Sequence, residues 1–430
     1  MPVRNGQEET MVKIFSIIIF LSGYLAISQE HLLKVSKTSI SLILAVVLWL
    51  LVIMSGNNNV GPALSEAGSE IFSLVIFLLS AMTLVEILTH YGLFDYIYHR
   101  LIRLHLEDKA QFFIIILLTF VFSSLLDNLT TTIVFVQIAR RFFSGKNLLK
   151  SAAAIVIAAN AGGAFSPIGD ISTTMLWLSN KFSTYTIITQ AFLPSLAVFL
   201  VSSFLIGRSI AVDTRDKVEK EIKLGKTEWF IISLCLSSFL LPLFMTIVHL
   251  PPYLGLIFGL GMVWLVVDLG KLRAPDHTRL RMSIEKFFQK TDIASLYFFI
   301  GILMAIAALH HIGILDDISQ KVFTQTPSTE RIIIGNILIG PLSAVFDNIP
   351  LTAAAIDIVK TTDETLWALL ALTVGVGGSI LLIGSAPGII AMTIVKDLTF
   401  SRYMRIATLP ALAAFCAGIA VWLLQYSLFS

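Results

Sequence analysis

Long apolar runs, separated by short polar and charged stretches, make up most of this chain. An α-helix needs about 20 apolar residues to cross roughly 30 Å of hydrocarbon. Ten stretches come close to that length or exceed it: 11–28, 39–55, 69–90, 151–180, 184–207, 228–249, 252–269, 292–310, 366–395 and 406–428. The pattern predicts an all-α polytopic membrane protein with about ten membrane crossings.

Two further apolar stretches, 111–143 and 332–360, are interrupted near their middles by Asp127-Asn128 and Asp347-Asn348. Each arm has only about 15 residues, which is too short for a comfortable crossing. Both stretches are therefore predicted to be re-entrant helical hairpins that enter and leave on one side of the membrane. Non-helical backbone at that depth is tolerated only when protein or a polar cavity surrounds it.

The two hairpins belong to a longer internal repeat. SSLLDNLTTTIVFVQ (123–137) is similar to SAVFDNIPLTAAAID (343–357), and glycine-rich segments follow at 160–175 and 374–392. Glycine and proline at the middle of a crossing leave backbone groups unpaired, so each segment predicts a broken helix. Repeats with broken helices that meet at the midplane are typical of secondary transporters.

The repeat predicts four parts of the chain. These are N-terminal helices at 1–68, a first repeat at 69–210 with hairpin 111–143 and broken helix 151–180, connecting helices and basic loops at 211–291, and a second repeat at 292–430 with hairpin 332–360 and broken helix 366–395.

The distribution of basic residues orients these parts. Of the 30 Lys and Arg, 24 fall in the loops 29–38, 99–110, 140–150, 208–227, 270–291 and 396–405. The positive-inside rule assigns those loops to the cytoplasm. The first hairpin then enters from the cytoplasm and the second from outside, so the two repeats are inverted relative to each other.

Composition excludes a water-soluble domain, because 56% of the residues are hydrophobic and only 13% are charged, and because the mean hydropathy is +0.86. We expect a multi-pass protein of the inner (cytoplasmic) membrane, with membrane lipids and monovalent cations as partners, no nucleic acid, and a homodimer as its candidate assembly. No nucleotide-binding loop is present, so ion gradients are expected to drive the protein and no enzyme activity is predicted. Cys235 and Cys416 lie in apolar segments and are interpreted as small core residues.

The hairpin tips concentrate oxygen atoms within apolar surroundings. A single Asp in a turn is usually a helix cap, but these tips offer larger clusters: Ser124, Asp127, Asn128, Thr130 and Thr131 at the first, and Ser343, Asp347, Asn348 and Thr352 at the second. Carboxylates, amides and hydroxyls together suit a small, hard cation. A carboxylate in hydrocarbon is costly and is kept mainly where it binds or moves charge.

Three segments, SSLLDNLTTTIVFVQIARR, ANAGGAFSPIGDISTTMLW and GPLSAVFDNIPLTAAA, resemble the NhaD-type sodium/proton antiporters. These belong to an ion transporter superfamily that also holds arsenite and dicarboxylate carriers. The resemblance implies an inverted-repeat fold and an exchange of Na⁺ or Li⁺ for H⁺ without any cofactor. The site positions that it implies are Asp127, Asn128, Asn160, Asp170, Thr173, Ser343, Asp347, Asn348 and Ser385.

The predicted mechanism is competition between a cation and a proton for the same carboxylates, because a carboxylate in a low-dielectric cavity must be neutralised by one or the other. Asp127 and Asp347 are predicted to coordinate Na⁺, and Asp170 is predicted to be a third acid that carries the proton or supports the site. Neutral oxygens are expected from Asn128, Thr130, Thr131, Asn160, Asn348 and Thr352. Glu86 and His90, near the cytoplasmic end of their helix, are candidates for a proton relay.

Other functions remain open at this stage. An arsenite carrier is compatible with the charge, because its substrate is neutral, whereas two ionised aspartates would repel a dicarboxylate. An intramembrane aspartyl protease is suggested by Gly169-Asp170, but Pro167 stands where its motif requires glycine. A passive channel would differ from an antiporter by a flux that does not couple the ion and proton gradients.

Overall fold

The computed structural model describes residues 6–29, 33–54, 60–211, 224–271, 291–322 and 327–429. In that part of the chain the secondary structure is helical and contains no strand. Eight helices are long and apolar enough to cross a membrane: Thr10–Ile27, Lys37–Met54, Val60–His90, Thr184–Gly207, Lys226–Ile247, Pro252–Gly270, Ile293–His311 and Phe400–Leu428. The predicted all-α membrane fold is confirmed, and the number of crossings stays a prediction. Most of the basic loops predicted at 208–227 and 270–291 lies outside the described residues.

The helices follow one another in this order: α1 Gly6–Ser28, α2 Lys37–Met54, α3 Val60–His90, α4 Leu93–Arg103, α5 Asp108–Ser123, α6 Asn128–Phe142, α7 Gly145–Ala164, α8 Ile171–Leu178, α9 Thr184–Gly207, α10 Lys226–Ser238, α11 Leu241–Ile247, α12 Pro252–Lys271, α13 Ile293–His311, α14 Ile314–Val322, α15 Thr329–Ser343, α16 Asn348–Ile358, α17 Glu364–Gly377, a 3₁₀ turn Leu382–Gly384, α18 Ala386–Ile394, α19 Phe400–Tyr403, a π-helical turn Met404–Thr408 and α20 Leu409–Phe429.

The helix ends coincide with the predicted interruptions. The first predicted hairpin, 111–143, corresponds to α5 and α6, and the second, 332–360, corresponds to α15 and α16. The first broken helix is α7 followed by α8, with the first break at 165–170 between them. The second broken helix is α17 followed by α18, with the second break at 378–385.

The chain divides into two compact units. The first unit comprises Met1–Leu78, Asp292–Gly335 and Ile349–Thr362, and the second comprises Leu79–Thr291, Asn336–Asn348 and Asp363–Ser430. Each unit takes segments from both predicted repeats, and the predicted division of the chain into repeats stays a prediction.

In the first unit, α2 packs closely against α13. A Cβ atom on Gly301 would lie 2.6 Å from Ser41 Oγ, so only glycine allows this approach. The indole N–H of Trp49 donates a hydrogen bond to the Met304 carbonyl (2.9 Å), and the Thr38 hydroxyl donates to the Ala294 carbonyl (3.0 Å). The two helices are therefore joined along their length.

In the second unit, α9 packs against α20. Gly418 faces Val198, and the Gln425 amide donates a hydrogen bond to the Thr189 carbonyl at 3.2 Å. The outward faces of these helices are apolar, since Phe204 is 63% exposed and Leu424 is also 63% exposed. Continuous apolar surface of this kind is unfavourable in water and favourable against lipid.

Candidate ion site

Asp127 ends the turn of the first hairpin and caps the N-terminus of α6. One carboxylate oxygen accepts a hydrogen bond from the backbone N–H of Thr130 (2.8 Å), and the other accepts from the Thr130 hydroxyl (2.6 Å). Free backbone N–H groups and the helix dipole favour a negative charge at this position. The residue is only 8% exposed, and the two hydrogen bonds from Thr130 hold its carboxylate in one orientation.

Asp170 has the same structural role as Asp127, because it caps the N-terminus of α8 at the first break. Its carboxylate accepts hydrogen bonds from the Ser172 hydroxyl (2.8 Å) and the Ser172 backbone N–H (3.4 Å). The side chain of Asn128 is a further hydrogen-bonding neighbour of this carboxylate. Asn128 directly follows Asp127 in the chain, so its side chain brings the tip of the first hairpin next to the acid of the first break.

Asn160, which is fully buried in α7, joins the first hairpin tip to the second break. Its side-chain oxygen accepts a hydrogen bond from the Asn128 amide at 3.0 Å. Its own amide nitrogen donates to Ser379 Oγ at 2.8 Å and to Ser385 Oγ at 3.0 Å. The site is therefore built from residues of both predicted repeats.

The second hairpin tip is connected to the second broken helix. Ser343 Oγ lies 2.6 Å from the side-chain oxygen of Asn348 and 2.8 Å from the Val374 carbonyl. A Cβ atom on Gly378 would lie 2.5 Å from the same Asn348 oxygen, so the absence of a side chain at Gly378 leaves room for the Asn348 amide beside the break. Asp347 is half-buried, and its charge interacts with that of Asp170.

The two repeats use matching contacts between hairpin and broken helix. A Cβ atom on Gly162 would collide with the Phe120 carbonyl oxygen, and one on Gly377, which lies 215 residues later, would collide with the Gly340 carbonyl oxygen. In both places the first arm of a hairpin touches the backbone of a broken helix. The glycines therefore set the closest approach of these elements.

The two repeats differ at one position that contributes to the site. Gly375 stands 215 residues after Asn160 and so takes the place of that amide in the second broken helix. A Cβ atom on Gly375 would lie 3.0 Å from a carboxylate oxygen of Asp170. The missing side chain leaves room for the acid of the first break, so each broken helix faces the break of the other.

Two buried hydroxyls near these groups have no hydrogen-bond partner within the described part of the chain. They are Thr131 Oγ1 in α6 and Thr173 Oγ1 in α8, in residues that are at most 1% exposed. A buried hydroxyl without a partner costs about 1–3 kcal/mol. Thr131 follows the capping acid Asp127 by four residues, and Thr173 follows Asp170 by three.

Three further predicted residues lie on helices other than those just described: Thr352 on α16, and Glu86 and His90 on α3. Thr352 is fully buried but belongs to the first unit. Glu86 is half-buried within α3, and His90 ends that helix with its ring 5.3 Å from the ring of Tyr91. The proposed roles of Thr352, Glu86 and His90 stay predictions, as do the roles of the other site residues.

Ser172 and Ser379 were not identified from the sequence, although each bonds directly to a site residue. The position that matches Ser379 in the first repeat is Ala164, so a search for polar residues shared by both repeats passes over it. The sequence feature that could have identified Ser379 is its position directly after Gly377-Gly378, where the helix is predicted to break. Within the residues that the structure describes, no group of three or more His, Cys, Asp or Glu is arranged as a metal centre.

Comparisons with known proteins identify the family. A family model described as a citrate transporter (CitMHS) matches residues 24–375. Sodium/proton antiporter 1 of Arabidopsis thaliana is 32% identical over 99% of this chain and 74% of its own length, and sodium/proton antiporter 2 of the same plant is 34% identical over 94% and 98%. The Na⁺/H⁺ antiporter NhaD of Vibrio cholerae is 30% identical over 88% of this chain and 84% of its own.

A solved structure shares the fold. The YdaH transporter of Alcanivorax borkumensis covers 91% of this chain and 98% of its own, with a TM-score of 0.59 and 13% sequence identity. At that identity the similarity shows the fold alone. The chain belongs to the CitMHS family of membrane transporters, and the resemblance to the NhaD-type sodium/proton antiporters is confirmed.

Proposed function

We propose that this protein is a secondary antiporter that exchanges Na⁺ or Li⁺ for H⁺ across a membrane. Three relatives carry sodium/proton antiport in their names, at 32%, 34% and 30% identity. The observation that carries the proposal is the pair of buried carboxylates, Asp127 and Asp170, each of which caps a helix at the first hairpin tip or the first break.

The position of these acids at helix N-termini favours a cation over an anion. An uncapped helix N-terminus within a protein attracts anions, because its free N–H groups carry partial positive charge. At α6 and α8, an aspartate already occupies the N-terminus and accepts the hydrogen bonds that an anionic substrate would need. The charge of the site is therefore suited to Na⁺ or Li⁺.

Coupling follows from neutralisation of the same carboxylates. A carboxylate removed from water is stable either when protonated or when it contacts a cation. Na⁺ bound at Asp127 and Asp347 would displace protons, and proton binding would release Na⁺. Thr131 and Thr173 would contribute neutral oxygens, and Asp170 would carry the proton or support the site.

Citrate transport is the second candidate, because the family model has that description. Three acidic side chains, Asp127, Asp170 and Asp347, lie at the hairpin tips and the first break. Ionised, they would repel a tricarboxylate or a dicarboxylate at short range. Citrate is therefore disfavoured as a substrate. Arsenite is neutral, so this charge argument does not apply to it, and a transport measurement distinguishes it from Na⁺.

The proposal is tested with purified protein in liposomes that contain a fluorescent pH indicator and carry an imposed proton gradient. Addition of NaCl or LiCl is expected to collapse the gradient rapidly, whereas KCl at the same ionic strength serves as the control. Radiolabelled citrate, succinate and arsenite are offered to the same liposomes. Uptake of any of these without a response to Na⁺ or Li⁺ would show that the cation proposal is wrong.

We further propose that the protein resides in the inner (cytoplasmic) membrane as a multi-pass protein, with its basic loops near anionic lipid headgroups. Arg100, Arg103 and Lys109 lie within ten residues of one another along the chain, in the predicted cytoplasmic loop 99–110. Basic residues next to a membrane attract anionic lipid at about 1 kcal/mol each. A homodimer stays a prediction.

A further inference from the structure

The C-terminal helix, which consists of α19, the π-helical turn and α20 in succession (400–429), supplies hydrogen bonds to the second break. Because α17 ends at Gly377, the carbonyl groups of Ser379 and Ile380 lie beyond its last turn, and they accept no backbone hydrogen bond within the described chain. The Tyr403 hydroxyl donates to the Ser379 carbonyl at 2.6 Å, and the Thr408 hydroxyl donates to the Ile380 carbonyl at 2.8 Å. Two successive carbonyls of the break are thus satisfied by side chains from another helix.

The π-helical turn Met404–Thr408 explains how one helix can reach both carbonyls. Tyr403 and Thr408 are five residues apart, and an α-helix would direct them to different sides. A π turn bonds residues five apart and so brings them towards the same side. Such turns are rare and occur frequently at functional sites.

The anchored backbone carries the hydroxyl that Asn160 contacts. Ser379 Oγ accepts a hydrogen bond from the Asn160 amide at 2.8 Å, beside Ser385 Oγ at 3.0 Å. Ser379, Asn160 and Tyr403 are all fully buried. A shift of the Ser379 carbonyl would therefore move a hydroxyl that lies within the network of the ion site.

We propose that Ser379 is a further oxygen-bearing residue of the ion site, and that Tyr403 and Thr408 are positioning residues that hold it against Asn160. The C-terminal helix thereby sets the affinity for the cation and the discrimination between Na⁺ and Li⁺, whose radii require differently spaced oxygens. This inference rests on the proposed sodium/proton exchange.

The decisive variant is Tyr403→Phe, which removes one hydroxyl and keeps the ring. In the liposome assay, the half-saturating Na⁺ concentration is expected to rise about three- to ten-fold, as the loss of one hydrogen bond implies. The maximal rate is expected to stay within about two-fold, and the ratio of half-saturating Na⁺ to Li⁺ is expected to change. Tyr185→Phe, at a residue that is 78% exposed, is the matched control and should match the wild type.

Thr408→Val and Ser379→Ala test the same proposal at the two other residues that it names. Both are expected to raise the half-saturating Na⁺ concentration in the same direction as Tyr403→Phe, with Ser379→Ala giving the larger rise because it removes the contacted hydroxyl itself. These variants also decide the matter if Tyr403→Phe does not accumulate in the membrane.

The outcomes separate the inference from the function on which it rests. A wild type that does not respond to Na⁺ or Li⁺ overturns the proposed exchange. An active wild type, with lowered thermal stability but unchanged half-saturation and an unchanged Na⁺ to Li⁺ ratio in Tyr403→Phe and Ser379→Ala, overturns the inference alone. That second pattern would mean that these residues only support the fold.

Discussion

Asp127 and Asp170 each combine a structural role with a charge. Both accept hydrogen bonds from the first turn of the helix that they begin. Asparagine caps a helix about as well as aspartate does, because the cap requires an acceptor oxygen rather than a charge. The substitution of Asp by Asn therefore keeps the helix cap and removes the negative charge that would bind the cation.

Asp127→Asn and Asp170→Asn are expected to abolish Na⁺-driven proton movement while lowering the free energy of unfolding by less than about 1 kcal/mol. Liposome flux and thermal unfolding in detergent measure the two effects. Asp397→Asn is the control, since the side chain of Asp397 is 86% exposed, and it should retain full exchange. Normal exchange by Asp127→Asn would remove the charge argument for a cation site.

Thr131 and Thr173 offer a second test at this scale, because each has a neighbour whose hydroxyl is satisfied. Thr132 donates to the Asn128 carbonyl and Thr174 to the Pro167 carbonyl, at 2.8 and 2.9 Å. Valine has nearly the same shape as threonine but cannot form these bonds or bind a cation.

Thr131→Val and Thr173→Val are expected to raise the half-saturating Na⁺ concentration without loss of stability, because each removes a buried hydroxyl that has no partner in the described chain. Thr132→Val and Thr174→Val should instead lose about 1 kcal/mol of stability through a broken hydrogen bond. The opposite assignment, with weaker Na⁺ binding only in the second pair, would place the ion elsewhere.

Among elements, the glycine contacts between hairpins and broken helices determine how the site is assembled. Gly162→Ala and Gly377→Ala are each expected to cost about 1–3 kcal/mol, because the added methyl group overlaps a backbone carbonyl oxygen that cannot move independently of its helix. Thermal unfolding of the purified protein measures this loss, and exchange should fall as the hairpins are displaced.

Gly261→Ala is the matched control for both variants. Gly261 lies within α12, and a methyl group added there would have nothing within 4 Å, so alanine should stabilise the helix by about 0.5–1 kcal/mol. If Gly162→Ala and Gly377→Ala also proved stabilising, the close approach of the elements would not govern the assembly of the site.

The sequence predicted the elements better than the contacts between them. The hairpin tips and breaks were found because Asp-Asn pairs and glycine clusters interrupt apolar runs at matched positions. The bonds from Asn160 to Ser379 and Ser385 cross from one repeat to the other, and such contacts depend on how the helices pack. The spacing of residues along the chain carries no information about that packing, so Ser379 and Tyr403 were missed.

At the scale of the whole molecule, the ion pairs agree with the orientation predicted from basic residues. In the first unit, Lys360 pairs with Asp316 at 3.3 Å, and both are predicted to face outside. In the second unit, Arg141 pairs with Asp95 at 3.4 Å, and both are predicted to face the cytoplasm. Residues assigned to one side of the membrane are thus neighbours within each unit.

Thiol labelling tests this orientation directly. With Cys235 and Cys416 replaced by serine, single cysteines are introduced at two exposed positions, Thr362 and Lys146. The positive-inside rule predicts that Thr362→Cys reacts with a membrane-impermeant maleimide on intact cells. Lys146→Cys should react only in inside-out vesicles, because it lies in the basic segment 140–150 that the same rule assigns to the cytoplasm.

Prior treatment with a membrane-permeant maleimide controls for access, and both cysteines should then be blocked in either preparation. Exchange activity in liposomes verifies that each variant is folded. Reaction of both cysteines from the same side would mean that an odd number of crossings does not separate 146 from 362. The second hairpin would then enter from the same side as the first, and the inverted relation that brings opposite breaks to one ion site would be lost.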